Sequence, residues 1–450
     1  MNRMLIGERT VLGAAVVDRH DIGMVEPSNS LGLSLEARDE GRIGAQLGPQ
    51  QLQRDASGQP RMPREVDDAH AASTEFALDD ETGEDLAREE RHMRHSASRR
   101  RTRGRVCRRC PASVAAMTQT LEPQQQVLTR VEGRLGHLTL NRPERINALS
   151  LSMIQLASAA LSAWAEDDGV DVVLIDGAGP RGLCAGGDIR EVYEGIRGGN
   201  VPPARFWTEE YEMNAVIAHY SKPVVTFMDG IVLGGGVGIS AHAGVRVVTE
   251  RSQVAMPETA IGLSPDVGAL YLLARAPGGL GTHCALTGMR LDGPAAVHAG
   301  LADHLVLAAE LPELAEQLRS GVVPELPVPP DAPHSEWIDW CYAPETVEQI
   351  LARLRNCPDP AAHSAADTVS AMSPTAVTVT LEAIRRAAGM TVDEVLDQDL
   401  RVGSRFLTHP DFAEGIRAMI IDKDRQPRWF PADLAEVSRP EVLAFFEPLD

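Results

Sequence analysis

The run KPVVTFMDGIVLGGGVGIS, from Lys222 to Ser240, decides the fold. Pro223 to Met228 is short, apolar and rich in β-branched and aromatic residues, which predicts a buried strand. Three glycines, Gly234 to Gly236, come next, and an apolar stretch opens after them as a helix. Strand, glycine turn and helix in that order make one unit of an α/β protein. The turn leaves N–H groups at the positive end of the helix dipole, where an anion binds well. Close helix packing is the other reason for three small residues. The spacing matches neither the G-x-G-x-x-G of a dinucleotide turn nor the G-K-S/T ending of a P-loop.

Upstream, Val127 to Val131 and Leu135 to Leu140 flank Glu132-Gly133 and predict a hairpin. Asn141 to Glu144 breaks the pattern. Met153, Leu156, Ala157, Ala160, Leu161 and Trp164 then share one helical face, which ends near Asp168-Gly169. Val170 to Ile175 and Val245 to Val248 read as two further buried strands. Between them lies GLCAGGDIR, Gly182 to Arg190. Gly186 and Gly187 permit a tight strand-to-helix turn with exposed amides, and such amides can hold a developing oxyanion. Asp188 is a plausible N-cap for the helix that follows.

Downstream, Met256-Pro257-Glu258-Thr259 sets an acid just after a proline in apolar surroundings. Glu258 reads either as the first-turn acid of a helix or as a partly buried carboxylate. The second kind has a raised pKa and works as acid or base near neutrality. Asp266, in GLSPDVG, is a turn residue or a second acid facing the same pocket. From about Pro329 strands give way to helical patterns. The chain therefore divides into residues 1–116, an α/β core over 117–328 and a helical region over 329–450.

The 450 residues carry 43 Lys+Arg against 64 Asp+Glu, a formal net charge of −21. Such a field repels phosphates and argues against general nucleic-acid or membrane-surface binding. No stretch of 18 apolar residues occurs, so no transmembrane helix is expected. Six cysteines make no disulfide scaffold, and a reducing, cytoplasmic setting is expected. Up to Ala116 the sequence holds 18 Arg, 19 acids, one aromatic (Phe76) and no Lys. Its charges are clustered and its apolar periodicity is weak, as in a disordered segment. It is too acidic for a mitochondrial presequence, and Glu8-Arg9 interrupts the apolar run a secretory signal needs. We expect a tail outside the fold, with the folded protein opening near Met117. Cys107 and Cys110 lack the second ligand pair a zinc site requires, so no metal is expected.

Together the runs LNRPERINAL, GLCAGGDIREVY, EEYEMN, KPVVTFMDGIVLGGGVGIS, MPETAIGLSPDVGALYLLARAPG and HPDFAEGIRAMIIDKDRQPRW resemble the enoyl-CoA hydratase/isomerase (crotonase) superfamily. The resemblance spans about Val127 to Trp429 and is greatest to the branch that hydrolyses 3-hydroxyisobutyryl-CoA. It implies the crotonase ββα superhelix, followed by a helical C-terminal region that covers the site. It also implies an acyl-CoA substrate and no separate cofactor, since CoA belongs to the substrate. The oxyanion amides fall on Gly187 and Gly235. Hydratases carry one acid two residues beyond the triple glycine and another in the Pro-Glu turn. Here the first position is Gly238, and only Glu258 remains.

Asp266 stands where hydratases usually have glycine and the hydrolases aspartate, and Glu210 matches a substrate-contacting acid of the hydrolases. Arg145, Ala148 and Ala185 fall along the CoA path. Lys423 faces either a CoA phosphate or solvent. Cys184, beside the oxyanion turn, reads as packing. The resemblance thus implies thioester hydrolysis in valine breakdown by a homo-oligomer. Enoyl-CoA hydration or isomerisation, and non-catalytic CoA binding, are the alternatives.

Overall fold

The computed structural model describes residues 125–198, 203–330 and 335–449. The segment to Ala116, the Cys107/Cys110 pair and the opening at Met117 lie outside the described residues. β1 (Val127–Glu132) and β2 (Leu135–Leu140) form the expected antiparallel hairpin. β3 (Val172–Gly177), β4 (Val224–Met228), β5 (Ile231–Leu233), β6 (Val245–Val248), β7 (Gln253–Ala255) and β8 (His304–Leu305) follow. One sheet runs β1-β2-β3-β4-β6-β8 and is parallel beyond the hairpin. β5 and β7 form a small parallel sheet of their own.

Parallel neighbours require crossover connections, and helices supply them. α1 (Leu151–Ala165) joins β2 to β3. Its N-cap is Ser150, whose hydroxyl accepts from the Met153 N–H. α2 (Ile189–Gly198) and α3 (Pro203–Ala218) lie between β3 and β4, and α4 (Gly235–Ala241) between β5 and β6. α5 (Ala269–Leu273), α6 (Leu280–Thr287) and α7 (Gly293–His298) precede β8, and α8 (Leu311–Leu318) follows it. Side chains alternate across a strand. Val173 and Ile175 of β3 therefore enter the main core, while Val172 and Leu174 enter a smaller core with Leu314 and Leu318 of α8.

Two elements differ from the sequence reading. β3 begins at Val172 rather than Val170. Val170 is buried, but its N–H turns back to the Asp167 carbonyl, so burial and ladder pairing part company there. β5 and β7 were not expected, because three-residue strands are too short to show a period.

The C-terminal segment is helical: α9 (Glu336–Tyr342), α10 (Val347–Asn356), α11 (Pro360–Ala371), α12 (Pro374–Ala387), α13 (Val392–Phe406), α14 (Pro410–Ile416) and α15 (Arg439–Ala444). α13 opens with a capping box between Thr391 and Glu394. It lies against α3, and a Cβ at its Gly403 would stand 3.2 Å from the Trp207 ring. Among the described residues no helix is long and apolar enough to cross a membrane.

Candidate active site

The two glycine turns meet because β5 runs beside the loop after β3 that carries Cys184. The Cys184 N–H donates to the Ile231 carbonyl at 3.1 Å, and the Leu233 N–H to the Cys184 carbonyl at 3.0 Å. On the other side, the Leu149 N–H donates to the Gly186 carbonyl at 2.8 Å, and the Asp188 N–H to the Leu149 carbonyl at 2.7 Å. Gly187 is thus held between Leu149 and α4. A Cβ built on Gly235 would lie 3.2 Å from the Gly187 nitrogen and would collide with Oε1 of Glu210. Neither the Gly187 nor the Gly235 N–H donates to a partner among the described residues. Two amides flanking one small space suit a single oxygen that gains negative charge.

Four carboxyl groups gather behind this space. Glu210 sits on α3, Glu258 opens the 3₁₀ turn Glu258–Ile261, Asp266 precedes α5, and Asp399 comes from α13. They are 2%, 7%, 7% and 3% exposed. A Cβ on Gly234 would stand 2.7 Å from Oε1 of Glu258, so that carboxyl closes on the oxyanion turn. Tyr211 donates its hydroxyl to Oδ2 of Asp266 at 2.7 Å. Burial raises the Glu258 pKa well above the carboxylate range, and the Asp266 charge adds to it. Glu210 and Asp399 are raised for the same two reasons. Asp266 is pushed up to about 6 by burial, against the pull of the Tyr211 hydrogen bond. Among the described residues Oε1 of Glu210, Oε2 of Glu258 and both side-chain polar atoms of Asn214 have no hydrogen-bond partner. Buried polar atoms are rarely left so. The chamber therefore offers unmet donors and acceptors to a bound molecule.

Position 238 is closed. A Cβ there would lie 2.7 Å from Cβ of Val267 and 2.9 Å from Nδ2 of Asn214. Glycine is required by contact, and no carboxyl side chain fits at that point.

A match to the enoyl-CoA hydratase/isomerase family covers residues 135–446, more than half of the sequence. The chain belongs to that family. It is 39% identical over 343 residues to the rat protein named "3-hydroxyisobutyryl-CoA hydrolase, mitochondrial", covering 72% of this chain and 89% of that one. Against the human protein of that name the figure is 37% over 352 residues, covering 74% and 91%. Two solved structures are also similar. A carnitinyl-CoA dehydratase from Mycobacterium thermoresistibile is 46% identical with a TM-score of 0.69, covering 72% of this chain and 97% of that one. An enoyl-CoA hydratase from Rhodobacter sphaeroides is 43% identical with a TM-score of 0.68, covering 72% and 98%.

Of the residues that the enoyl-CoA hydratase/isomerase resemblance marked, the structure brings Gly187, Gly235, Glu210, Glu258 and Asp266 into one cluster. Ala185 joins its edge, since its N–H donates to the Ile146 carbonyl at 2.9 Å beside Arg145 and Ala148. Arg145 is exposed and Ala148 half-buried. Lys423 is exposed, in a turn beyond Ile420, whose carbonyl accepts from Arg190 of α2. Cys184 is fully buried, its thiol pushed up to about 12 by burial, as packing requires. Asp188 does precede α2, but its carboxylate accepts from Arg142 at 3.0 Å.

Three contributors had no role in the sequence reading. Tyr211 and Asn214 lay inside the EEYEMN run without one. Asp399 was not singled out, yet it shares the apolar stripe of Val395, Val402 and Phe406, and that spacing was a legible signal. A separate cavity of about 310 Å³ is lined by Arg130, His137, Asp176 and Leu311, and none of the four acids borders it.

Proposed function

We propose that this chain hydrolyses 3-hydroxyisobutyryl-CoA, or a closely related 3-hydroxyacyl-CoA, to the free hydroxy acid and CoA. The closure of position 238 carries the reading. Hydration of a double bond uses two placed acid/base groups around the oxyanion turn, and the space for one is taken by Val267 and Asn214. The names of the rat and human relatives agree with it.

The thioester carbonyl oxygen would lie between the N–H groups of Gly187 and Gly235. Glu258 has two routes. As base, it takes a proton from water, whose oxygen attacks the carbonyl carbon; the tetrahedral intermediate then collapses, the C–S bond breaks and the proton passes to the CoA sulfur. As nucleophile, it attacks the carbon itself and expels the thiolate, leaving a mixed anhydride that water opens. Asp266 would position the water or the substrate hydroxyl, and Glu210 would bind that hydroxyl. Arg145, Ala148, Ala185 and Lys423 would follow the CoA chain. Valine breakdown, a cytoplasmic setting and a homo-oligomer belong to the same proposal, carried by the sequence and by family membership.

Hydration is the second reading, favoured by the names of the carnitinyl-CoA dehydratase and the enoyl-CoA hydratase whose structures are similar. Purified protein supplied separately with 3-hydroxyisobutyryl-CoA and crotonyl-CoA decides between them. Thiol release from the first with the second untouched is expected. Loss of enoyl absorbance without thiol release would sink hydrolysis. Glu258→Gln should lower thiol release by roughly 10²–10⁴-fold; unchanged turnover would remove Glu258 from the chemistry.

A further inference from the structure

Val267 is buried with φ +53°. A β-branched residue seldom takes this left-handed conformation, because Cβ crowds the following carbonyl. The peptide unit from Val267 to Gly268 is gripped at both ends. Its carbonyl accepts from Nε2 of His242, the residue that ends α4, at 2.8 Å. Its N–H donates to Oδ2 of Asp399, on α13, at 2.8 Å. Burial pulls the His242 pKa down to about 4, so the ring is neutral, and its acceptor partner assigns the proton to Nε2. One residue earlier, the Asp266 carbonyl accepts from the Ala269 N–H at 2.9 Å and its carboxylate from Tyr211.

We propose that His242 and Asp399 are positioning residues for the reaction. Together they hold the strained 267–268 peptide, which keeps the Asp266 carboxylate in the acid cluster and the Val267 side chain over Gly238. This deepens the hydrolase reading and rests on it. It also gives the C-terminal helices a part in the chemistry, since Asp399 reaches the turn from α13. The groups facing Asp399 are Tyr211 on α3, Glu258 in its 3₁₀ turn and Asp266, with Arg401 on its own helix.

The test uses the full chain, with folding followed by circular dichroism and thiol release from 3-hydroxyisobutyryl-CoA measured across pH. Asp399→Asn keeps an acceptor for the Gly268 N–H and should hold kcat within about threefold of wild type. Asp399→Leu removes the acceptor, and kcat should fall about 10- to 100-fold with KM little changed, as a small misplacement does. Its acid limb should also move below that of the wild type, because water reaching Asp266 relieves the burial that holds its pKa near 6. Amide exchange at Gly268 should quicken in Asp399→Leu and not in Asp399→Asn.

If Asp399→Leu does not fold, His242→Ala asks the same question from the carbonyl end, with the same expected fall and shift. A folded Asp399→Leu or His242→Ala with wild-type kcat and acid limb overturns the proposal. So does an Asp399→Asn as impaired as Asp399→Leu. Absence of thiol release by the wild type is a different failure: it overturns the hydrolase reading, while amide exchange at Gly268 still reports on the clamp.

Discussion

At the scale of single residues, close contact decides what the site can hold. Gly238→Ala should lower stability by about 1–3 kcal/mol, because its new methyl meets Val267 and Asn214 in a packed interior. A urea melt checks this, and an unchanged midpoint would mean the chamber has slack. Glu258 separates the two routes to hydrolysis. In a single turnover in ¹⁸O-water, a following turnover in normal water and mass spectrometry of the tryptic peptides, label in Glu258 marks the anhydride. Label confined to the product marks water attacking the substrate's acyl carbon, directly or on the anhydride, and trapping of an acylated Glu258 with hydroxylamine separates these two. Asp266 gives the acid side of the pH profile its shape. Protonation through a pKa of about 6 removes its charge, and the raised Glu258 adds to the loss, so kcat/KM should fall as pH drops from 8 to 5. A flat profile would exclude both as working carboxylates.

At the scale of elements, the site depends on loops pinned to one another. Asn147 is buried, and its Nδ2 lies 3.0 to 3.1 Å from the carbonyls of Ala178, Gly182 and Leu183. It ties the loop before α1 to the loop that leads into Gly187. Asn147→Ala leaves buried carbonyls unpaired and should cost about 1–3 kcal/mol, with a rise in KM. Thermal melts and substrate titration would show whether the loss is local.

Much of this scale was legible in sequence. The hairpin, α1, β4 and β6 follow from apolar period and turn residues, and Gly187, Gly235 and Glu258 were marked by glycine turns and an acid after proline. The rest was not, for physical reasons. β5 and β7 owe their existence to pairing between residues 22 positions apart rather than to local pattern. Tyr211, His242 and Asp399 act through partners far away in the chain, and a single sequence does not state those pairings. Even so, an acid on the apolar stripe of α13 stood out from its neighbours.

At the scale of the whole molecule, the buried acids and the ion-paired acids pull stability in different pH windows. A carboxyl with a raised folded pKa gives most stability below its unfolded value, about 4, and loses it as pH rises through the folded value. Asp266, Glu210, Glu258 and Asp399 are of this kind. Asp303 is opposite: paired with Arg246, its pKa is lowered, and its contribution is lost as pH falls through that value. The net charge of −21 also repels itself less as acids gain protons. The urea midpoint should therefore rise from pH 8 to about 6 and fall again in stronger acid, below about 4. A midpoint that falls steadily from pH 8 would show that the buried acids do not govern stability.

The contact between positions 238 and 267 has a meaning for descent as well. A lineage cannot gain an acid at 238 while valine holds its strained place opposite, so passage between the two chemistries takes at least two changes. Among relatives, an acid at the equivalent of 238 should travel with a residue smaller than valine at 267. Chains with the acid and the valine together should be missing.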